Sequence, residues 1–250
     1  TFLFFPLLGL VLLKLCGKLI SPDLRLGFFY LCALPSTVSS SVAMTSAAHG
    51  NVPGAVFNAT LSSLLGVFLT PLWMGWMLRG IEHPVPMLSV IEDLLLWLVL
   101  PLVVGQLCRP WLGNWVHRHK KSVHKVDRGT ILLLVYTSFC DSMKWGVWTK
   151  HGPGTVAVAL AGTLVLFWIA LLATSAVSDA LGLPFADKVT AVFCGSKKTL
   201  ASGIPMAQLI FGSYPGISLV LIPIMIYHPL QLVICGVIAG RWAKRVAGMR

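Results

Sequence analysis

Long apolar stretches alternate with short polar stretches along the whole chain. A helix needs about 20 apolar residues to cross the roughly 30 Å hydrocarbon core of a bilayer. We predict eight membrane spans, the first one partial, over residues 1–15, 27–48, 53–78, 87–107, 129–148, 155–178, 188–211 and 215–239. These spans leave no stretch for a soluble domain, so the pattern predicts an all-α polytopic membrane protein.

The first apolar stretch begins at Thr1 without any polar residues before it. A secretory signal peptide would carry a basic segment and a small-residue cleavage site, and this stretch has neither. We therefore expect a helix whose beginning is missing, in a sequence that is part of a longer protein.

Composition supports the same class of protein. Hydrophobic residues make up 56% of the chain and charged residues 11%, whereas soluble domains carry about 25% charged residues. The net charge of +11 would suit a nucleic-acid partner if the basic residues formed one surface. They fall instead between the apolar stretches, so we expect a lipid bilayer around the protein and no nucleic acid.

The basic residues also predict the orientation in the membrane. They cluster in the stretch 109–128, which we interpret as a loop, and in the C-terminal tail. Four predicted spans separate the two regions, so both lie on the same side, and the positive-inside rule makes that side the cytoplasm. We predict a multi-pass protein of the cell (inner) membrane with a cytoplasmic C-terminus. The residues concerned are Arg109, Arg118, Lys120, Lys121, Lys125, Arg128, Arg241, Lys244, Arg245 and Arg250.

Two similar turns indicate an internal repeat. Gly50-Asn51-Val52-Pro53-Gly54 and Gly212-Ser213-Tyr214-Pro215-Gly216 each open a helix, and each follows a span with polar residues at its middle. Matching them makes the last five spans one unit and the first three the end of another. An odd number of spans per unit forces opposite orientations, which is the inverted-repeat design of many transporters. The predicted units are residues 1–78 (end of the first repeat), 79–128 (linking span and basic loop) and 129–250 (rest of the second repeat).

Two adjacent lysines stand in the middle of the seventh predicted span. Gly195-Ser196-Lys197-Lys198-Thr199 interrupts apolar sequence on both sides. A charge at the centre of a membrane helix costs about 3 kcal/mol or more, so these lysines need a water-filled cavity or an acidic partner. The alternative is a helix end from which they reach the interface. We predict that Ser196, Lys197, Lys198 and Thr199 bind substrate.

A carboxylate in the fifth predicted span is a further candidate. Asp141 could be the counter-charge of Lys197 or Lys198, a proton-coupling group, or a residue near the membrane interface, since Lys144 follows it. We include Asp141 among the predicted substrate-site residues, because intramembrane carboxylates are functional candidates by default.

Hydroxyl groups crowd the second predicted span directly after Pro35. Proline frees backbone carbonyls, and carbonyl and hydroxyl oxygens suit a hard cation such as Na+. The alternative is that the hydroxyls bond to their own helix or join neighbouring helices. The predicted cation-binding residues are Ser39, Ser40 and Ser41, with Asn58, Ser62 and Ser63 from the third span.

Enzyme and metal motifs are absent from the sequence. The Gly195–Thr199 stretch fails the phosphate-loop pattern, because a second lysine stands where glycine is required. The zinc-protease, nucleophile-elbow and Rossmann patterns are missing, and the six cysteines show no metal-like spacing. We predict that the protein is not an enzyme and has no metal site or cofactor beyond Na+ as a possible coupling ion.

The chain resembles the bile acid:sodium symporter superfamily, solute carrier family 10. The residues that carry the resemblance are Leu34-Pro35-Ser36-Thr37-Val38-Ser39-Ser40-Ser41, Gly50-Asn51-Val52 and Phe193-Cys194-Gly195-Ser196-Lys197-Lys198-Thr199. They are most similar to the SBF-like branch, which includes bacterial transporters and the seventh vertebrate member. The likeness runs along essentially the whole chain.

The resemblance implies a fold of ten helices in two inverted five-helix repeats. In that fold the fourth and ninth helices are discontinuous and cross near mid-membrane, which corresponds here to 27–48 and 188–211. Helices one, two and the start of three would be missing. The family's sodium ligands would fall on Ser40 and Ser41 and, in the ninth helix, on Phe193 and Lys197, so this chain has an ammonium group where a cation would bind.

The sequence and the resemblance together predict a secondary active transporter of a small, anionic solute. Sodium coupling is one expectation. Lys197 would either stand in for one sodium ion or, with Lys198, bind the anionic substrate directly. The alternative is a non-transporting membrane regulator of ion (calcium) homeostasis that keeps the same fold.

Overall fold

A computed structural model describes residues 1–16, 20–78, 87–144, 146, 152–212 and 214–248. These parts of the chain are helical throughout, apart from short connections. The helices are α1 (Phe4–Cys16), α2 (Pro22–Ala33), α3 (Ser39–Ala47), α4 (Val52–Met77), α5 (Met87–Leu94), α6 (Leu100–Arg118), α7 (Lys120–Lys144), α8 (Pro153–Ala180), α9 (Phe185–Gly195), α10 (Gly203–Phe211) and α11 (Ile217–Ala247), with a π-helical turn (Leu95–Val99) between α5 and α6.

Three of the described helices are long and apolar enough to cross a bilayer. They are α4, α8 and α11, with 26, 28 and 31 residues. Large apolar side chains such as Phe57 and Leu172 are exposed along them, as expected for helices whose outer faces contact lipid. The all-helical membrane class predicted from the sequence agrees with these helices.

The first interrupted helix consists of α2 and α3. The break covers residues 34–38, where Leu34 leaves helical geometry with ψ 151°. The cause is Pro35, because proline disfavours helical geometry in the residue before it and has no amide hydrogen to donate. The predicted span 27–48 is therefore two half-helices.

The second interrupted helix consists of α9 and α10, separated by residues 196–202. No proline lies in this break. The backbone amide of Lys198 bonds instead to the side chain of Gln231 on α11, at 2.8 Å, and this tertiary contact replaces helical hydrogen bonding. The predicted span 188–211 likewise forms two half-helices.

The two breaks lie against each other in the centre of the molecule. The amide of Thr199 in one break donates to the carbonyl of Pro35 in the other, at 3.1 Å. Around this contact α2 packs closely on α11, since a Cβ atom at Gly27 would lie 2.6 Å from the carbonyl oxygen of Val220. The largest fully buried side chains, Tyr30 and Tyr227 among them, surround the same region.

The turns after α3 and α10 make equivalent contacts with the opposite interrupted helix. Asn51, which precedes α4, donates to Asp187 in the first turn of α9 at 2.8 Å. Tyr214, which precedes α11, donates to Asp23 in the first turn of α2 at 2.6 Å. The turn that follows each interrupted helix therefore fixes the start of the opposite interrupted helix.

The prediction that residues 109–128 form a loop is wrong. This stretch is helical except at His119, where α6 ends and α7 begins. Positive charge does not stop a helix, because lysine and arginine are good helix formers. Most described side chains of α6 and α7 are exposed, including Trp111 at 79% and Trp115 at 56%.

Candidate functional site

The two lysines of the second break are fully buried, each with 0% exposed surface. Lys197 Nζ donates to the carbonyl oxygen of Ser40 at 2.8 Å. Lys198 Nζ donates to the carbonyl oxygens of Cys32 and Leu34 at 2.8 and 2.6 Å. Among the described side chains neither ammonium group has a carboxylate partner, so backbone carbonyls and aromatic rings surround the two charges.

The aromatic contacts come from two different helices. Lys198 Nζ lies 4.1 Å from the ring centroid of Phe5 on α1, and Lys197 Nζ lies 5.4 Å from that of Phe193 on α9. A cation over an aromatic face gains about 0.5–2 kcal/mol, more when water is excluded. These rings stabilise ammonium groups that have left water.

Four successive carbonyl groups at the first break, those of residues 32–35, all have protein donors. A helix leaves its last four carbonyls without a partner inside the helix. Besides the two held by Lys198, the carbonyl of Ala33 accepts from the Thr70 hydroxyl at 2.8 Å, and that of Pro35 accepts from the Thr199 amide. Lys198 also places its charge at the negative end of the α2 dipole, which is a favourable position for a cation.

The carbonyl groups at the second break are held in the same way from the opposite side. Ser41 and Ser36 donate to the carbonyls of residues 193 and 194, at 3.3 and 2.7 Å. The Tyr227 hydroxyl donates to the carbonyl of Ser196 at 2.7 Å. Gln231 accepts from the amide of Lys198 and donates to its carbonyl, at 2.8 and 2.7 Å.

The hydroxyl groups after Pro35 form a connected network. Ser40 donates to Thr37 at 2.8 Å, and the Thr37 and Ser41 oxygens are also 2.8 Å apart. Ser40 holds Lys197 through its backbone carbonyl, so the predicted cation-binding cluster and the predicted substrate-binding lysine are in direct contact.

A cavity of about 310 Å³ opens between the two breaks. Both half-helices α3 and α10 begin at its wall. Its polar lining consists of hydroxyl groups and one imidazole, and its apolar lining includes Val67 and Met206. The polar residues are Ser36, Thr37, Ser39, Ser40, Ser63, Thr199, Ser202 and His228.

The imidazole of His228 is oriented by a neighbour on the same helix. Its Nδ1 lies 3.0 Å from Nε2 of Gln231, and Gln231 is itself fixed by both of its bonds to the Lys198 backbone. Because Nε2 of Gln231 is a donor, Nδ1 accepts, and the hydrogen of a neutral imidazole lies on Nε2. His228 therefore has a donor left for a ligand.

A second cavity of about 340 Å³ lies beside the first break. Asn58 and Ser62 line it, and Ser36 lines both cavities. The Ser36 amide donates to the Ser62 hydroxyl at 2.9 Å. Ser63 belongs to the first cavity.

The predicted site residues thus fall into groups. Thr199, Ser39, Ser40 and Ser63 share the first cavity, whereas Asn58 and Ser62 share the second. A third set lines neither cavity, and the side chain of Asp141 lies outside the described part of the structure. The members of the third set are Ser41, Ser196, Lys197 and Lys198.

Two functional candidates were missed by the sequence reasoning. His228 and Gln231 lie three positions apart on α11, and neither is among the site residues predicted from the sequence. The signal that could have found them is their spacing, because residues at i and i+3 share a helix face. Two polar side chains on one face of an apolar helix favour a site over isolated packing contacts.

Known proteins match this chain over nearly its whole length. The family model described as "SBF-like CPA transporter family" matches residues 1–244. The chain belongs to the SBF-like CPA transporter family. It is therefore a membrane protein of a transporter family, and the resemblance to the sodium/bile acid symporters is confirmed.

Curated relatives support this family assignment. "Putative symporter YfeH" of Escherichia coli K12 is 42% identical over 245 residues, covering 98% of this chain and 73% of the relative. An uncharacterised protein of Pseudomonas aeruginosa has the same identity and coverage. "Sodium/bile acid cotransporter 7" of Danio rerio is 33% identical over 240 residues, covering 95% of this chain and 71% of the relative. Bacterial and vertebrate proteins are thus similar in sequence to nearly the whole of this chain.

Proposed function

We propose that this protein is a secondary active transporter that binds a small anionic solute in the 310 Å³ cavity between the two helix breaks. The observation that carries the proposal is the position of this cavity. It lies where two interrupted helices meet, which is where transporters commonly bind their substrates. Family membership supplies the transport role, and the cavity supplies the class of solute.

Two helix N-termini support an anionic solute. The cap residues Val38 of α3 and Ser202 of α10 both line the cavity. Neither helix has a side-chain cap, so its first amide groups have no side-chain acceptor. Uncapped N-termini favour negative charge, and here two of them face one cavity. The start of α3 contributes more amides than that of α10, because the Ile204 amide donates to the Leu200 carbonyl and Pro205 has no amide hydrogen.

The charges around the cavity have the same sign. No aspartate or glutamate is among the described residues that line it, and Lys197 lies directly behind the wall, on the carbonyl of Ser40. The ammonium group need not touch the solute to attract it, because charges interact strongly over several ångströms in a buried site. Direct contact of Lys197 or Lys198 with the anion would require the cavity to change shape.

The lining also indicates the size and shape of the solute. A volume of about 310 Å³ is at the lower end of the roughly 300–1,000 Å³ typical of ligand pockets. His228 offers one donor from its Nε2, and Thr199 and Ser202 offer hydroxyls nearby. We expect a compact organic anion with an apolar part that packs on Val67 and Met206.

We also propose that the architecture is an inverted repeat with eight spans in this chain. The paired contacts Asn51–Asp187 and Tyr214–Asp23 support this, since each joins a turn to the start of the opposite interrupted helix. Helices α1–α4 and α8–α11 follow the same order. A cell-membrane location with a cytoplasmic C-terminus follows from the basic residues of α6, α7 and the tail.

Transport by the full-length protein in proteoliposomes tests the proposal. Uptake of radiolabelled lactate, sulfate and taurocholate would be compared with uptake of glucose, and we expect at least one anion and not glucose to accumulate. Ala201→Trp should abolish uptake because the indole would fill the cavity that Ala201 lines. The matched control is Ala157→Trp on the exposed surface of α8.

Uptake that survives Ala201→Trp unchanged would place the solute path elsewhere. If the folded wild type moves none of the anions, the result favours the alternative in which the protein regulates ion homeostasis without transport. The variant and the wild type would be compared for folding by their elution and thermal unfolding.

A further inference from the structure

We propose that the amino groups of Lys197 and Lys198 occupy two cation positions on the first interrupted helix, so that this protein binds no Na+ there and moves its solute without Na+. The inference concerns the coupling ion of the proposed transporter and therefore rests on that function.

Four of the carbonyl oxygens that the first break could offer a cation are already in use. Na+ binds to oxygen, and a broken helix offers it the carbonyls that lack a partner within the helix. Here the four carbonyls of residues 32–35 each accept a hydrogen bond from another part of the protein. Two of those four bonds come from Lys198 Nζ.

The nature of the donor matters as well as its presence. A carbonyl oxygen has two lone pairs, so a neutral donor alone would leave room for a cation. An ammonium group on the same oxygen repels a second positive charge, and burial makes that repulsion stronger. Lys198 has 0% exposed surface, so water does not screen its charge.

Lys197 occupies the second cation position, at the carbonyl of Ser40, in the same way. Its Nζ lies 2.8 Å from the carbonyl of Ser40, at the centre of the serine cluster that the sequence favours as a cation site. The hydroxyls of that cluster bond to one another and to the carbonyl of Phe193. The residues present therefore fit an ammonium group and do not fit Na+.

Binding of radiolabelled Na+ to the full-length protein in nanodiscs tests the inference directly. We expect no saturable binding by the wild type when choline replaces competing salt. Lys197→Gln removes the charge and adds an amide oxygen beside Ser40. The amount of Na+ that this variant binds at a fixed Na+ concentration should therefore be at least about tenfold above the wild-type background. The matched control is Lys188→Gln, which removes a partly exposed lysine of α9 paired with Asp179 and should leave binding at the wild-type level.

Three outcomes would overturn the inference. Saturable Na+ binding by the wild type would overturn it whether or not Lys197→Gln folds. A folded Lys197→Gln that binds no more Na+ than the wild type would show that the lysine is not what excludes the cation. Solute uptake by the wild type that requires a Na+ gradient would contradict the claim about coupling.

The binding measurement does not need a known solute. If no solute were transported, the proposed function would fail. The Na+ binding measurement would still decide whether the lysines occupy the cation positions. If transport occurred and Na+ bound to the wild type, the function would stand and this inference would fail.

Discussion

The carbonyls at the first break accept hydrogen bonds from lysine, whereas those at the second accept them from serine hydroxyls, although both breaks interrupt an apolar helix at its middle. The first break is caused by Pro35 and presents a row of carbonyl acceptors, those of residues 32–35. The second break has no proline and supplies two lysine side chains together with the Thr199 amide as donors.

The difference shows how a charge can be buried in a membrane protein without an acidic partner. Two ammonium groups leave water, and the carbonyls of the other helix accept their hydrogen bonds. Each break would be unstable alone, because one would bury unpaired acceptors and the other unpaired charges. The predictions below remove one side of this pairing at a time.

Lys198→Met should have the largest effect on stability. It removes the donor of Cys32 O and Leu34 O and leaves both carbonyls buried without a partner, at a cost of about 1–3 kcal/mol each. We expect the free energy of unfolding in mixed micelles to fall by about 2–6 kcal/mol. Lys188→Met is the control, since an exposed ion pair contributes about 1 kcal/mol or less. Equal losses in both variants would contradict the pairing.

Gln231→Leu should have the next largest effect. Leucine has a similar volume but makes neither hydrogen bond to the backbone of Lys198, so the second break loses the contact that holds it open. We expect a loss of about 1–3 kcal/mol in the same unfolding measurement. The orientation of His228 would be lost too, so solute affinity should fall further than in Gln208→Leu, an exposed position on α10.

Two glycine substitutions compare the rigidity of the breaks. A Cβ atom at Gly66 would lie 2.8 Å from the Pro35 ring, whereas one at Gly203 would lie 3.0 Å from the end of the flexible Leu34 side chain. Overpacking costs about 1–3 kcal/mol, and alanine regains up to about 1 kcal/mol of helix propensity. Gly66→Ala should therefore lower the unfolding temperature, and Gly203→Ala should change it little. A larger fall in unfolding temperature for Gly203→Ala than for Gly66→Ala would show that Pro35 is free to move.

Tyr214→Phe should have the smallest effect. The hydrogen bond to Asp23, followed by partial burial, raises the pKa of Tyr214 to about 12. A raised pKa means that the contribution is present below the ordinary value of about 10 and is lost as the pH rises through 12. Because Tyr214 is partly exposed, we expect less than about 1 kcal/mol. Unfolding at pH 8 and pH 12 should differ more for the wild type than for Tyr214→Phe, and an equal difference would exclude this bond as the cause.

Apolar periodicity was enough to predict most of the helices. The spans 53–78 and 155–178 agree with α4 and α8 to within two residues at each end. Sequence polarity also marked both interrupted helices, because Pro35 and the lysine pair stand out from apolar neighbours. The error at 109–128 came from treating charge as a sign of a loop, although the helix propensities of lysine and arginine are high.

The sequence singled out the two lysines of the second break but not the acceptors that they contact. It offered Asp141 as a counter-charge for the lysines, whereas the acceptors seen for them are backbone carbonyls. No residue type in the sequence identifies a carbonyl as free, since every residue has one. Its availability depends on where a helix breaks and what packs beside it.

What the sequence determined by itself is the membrane class, the positions of the breaks and the family, because hydropathy, proline and the lysine pair act locally. What only the tertiary structure decided is that the two breaks meet, and that the lysines of one satisfy the carbonyls of the other across more than 150 residues of chain. The physical reason is that a buried ammonium group is tolerated only where acceptors converge on it, and convergence is a property of packing.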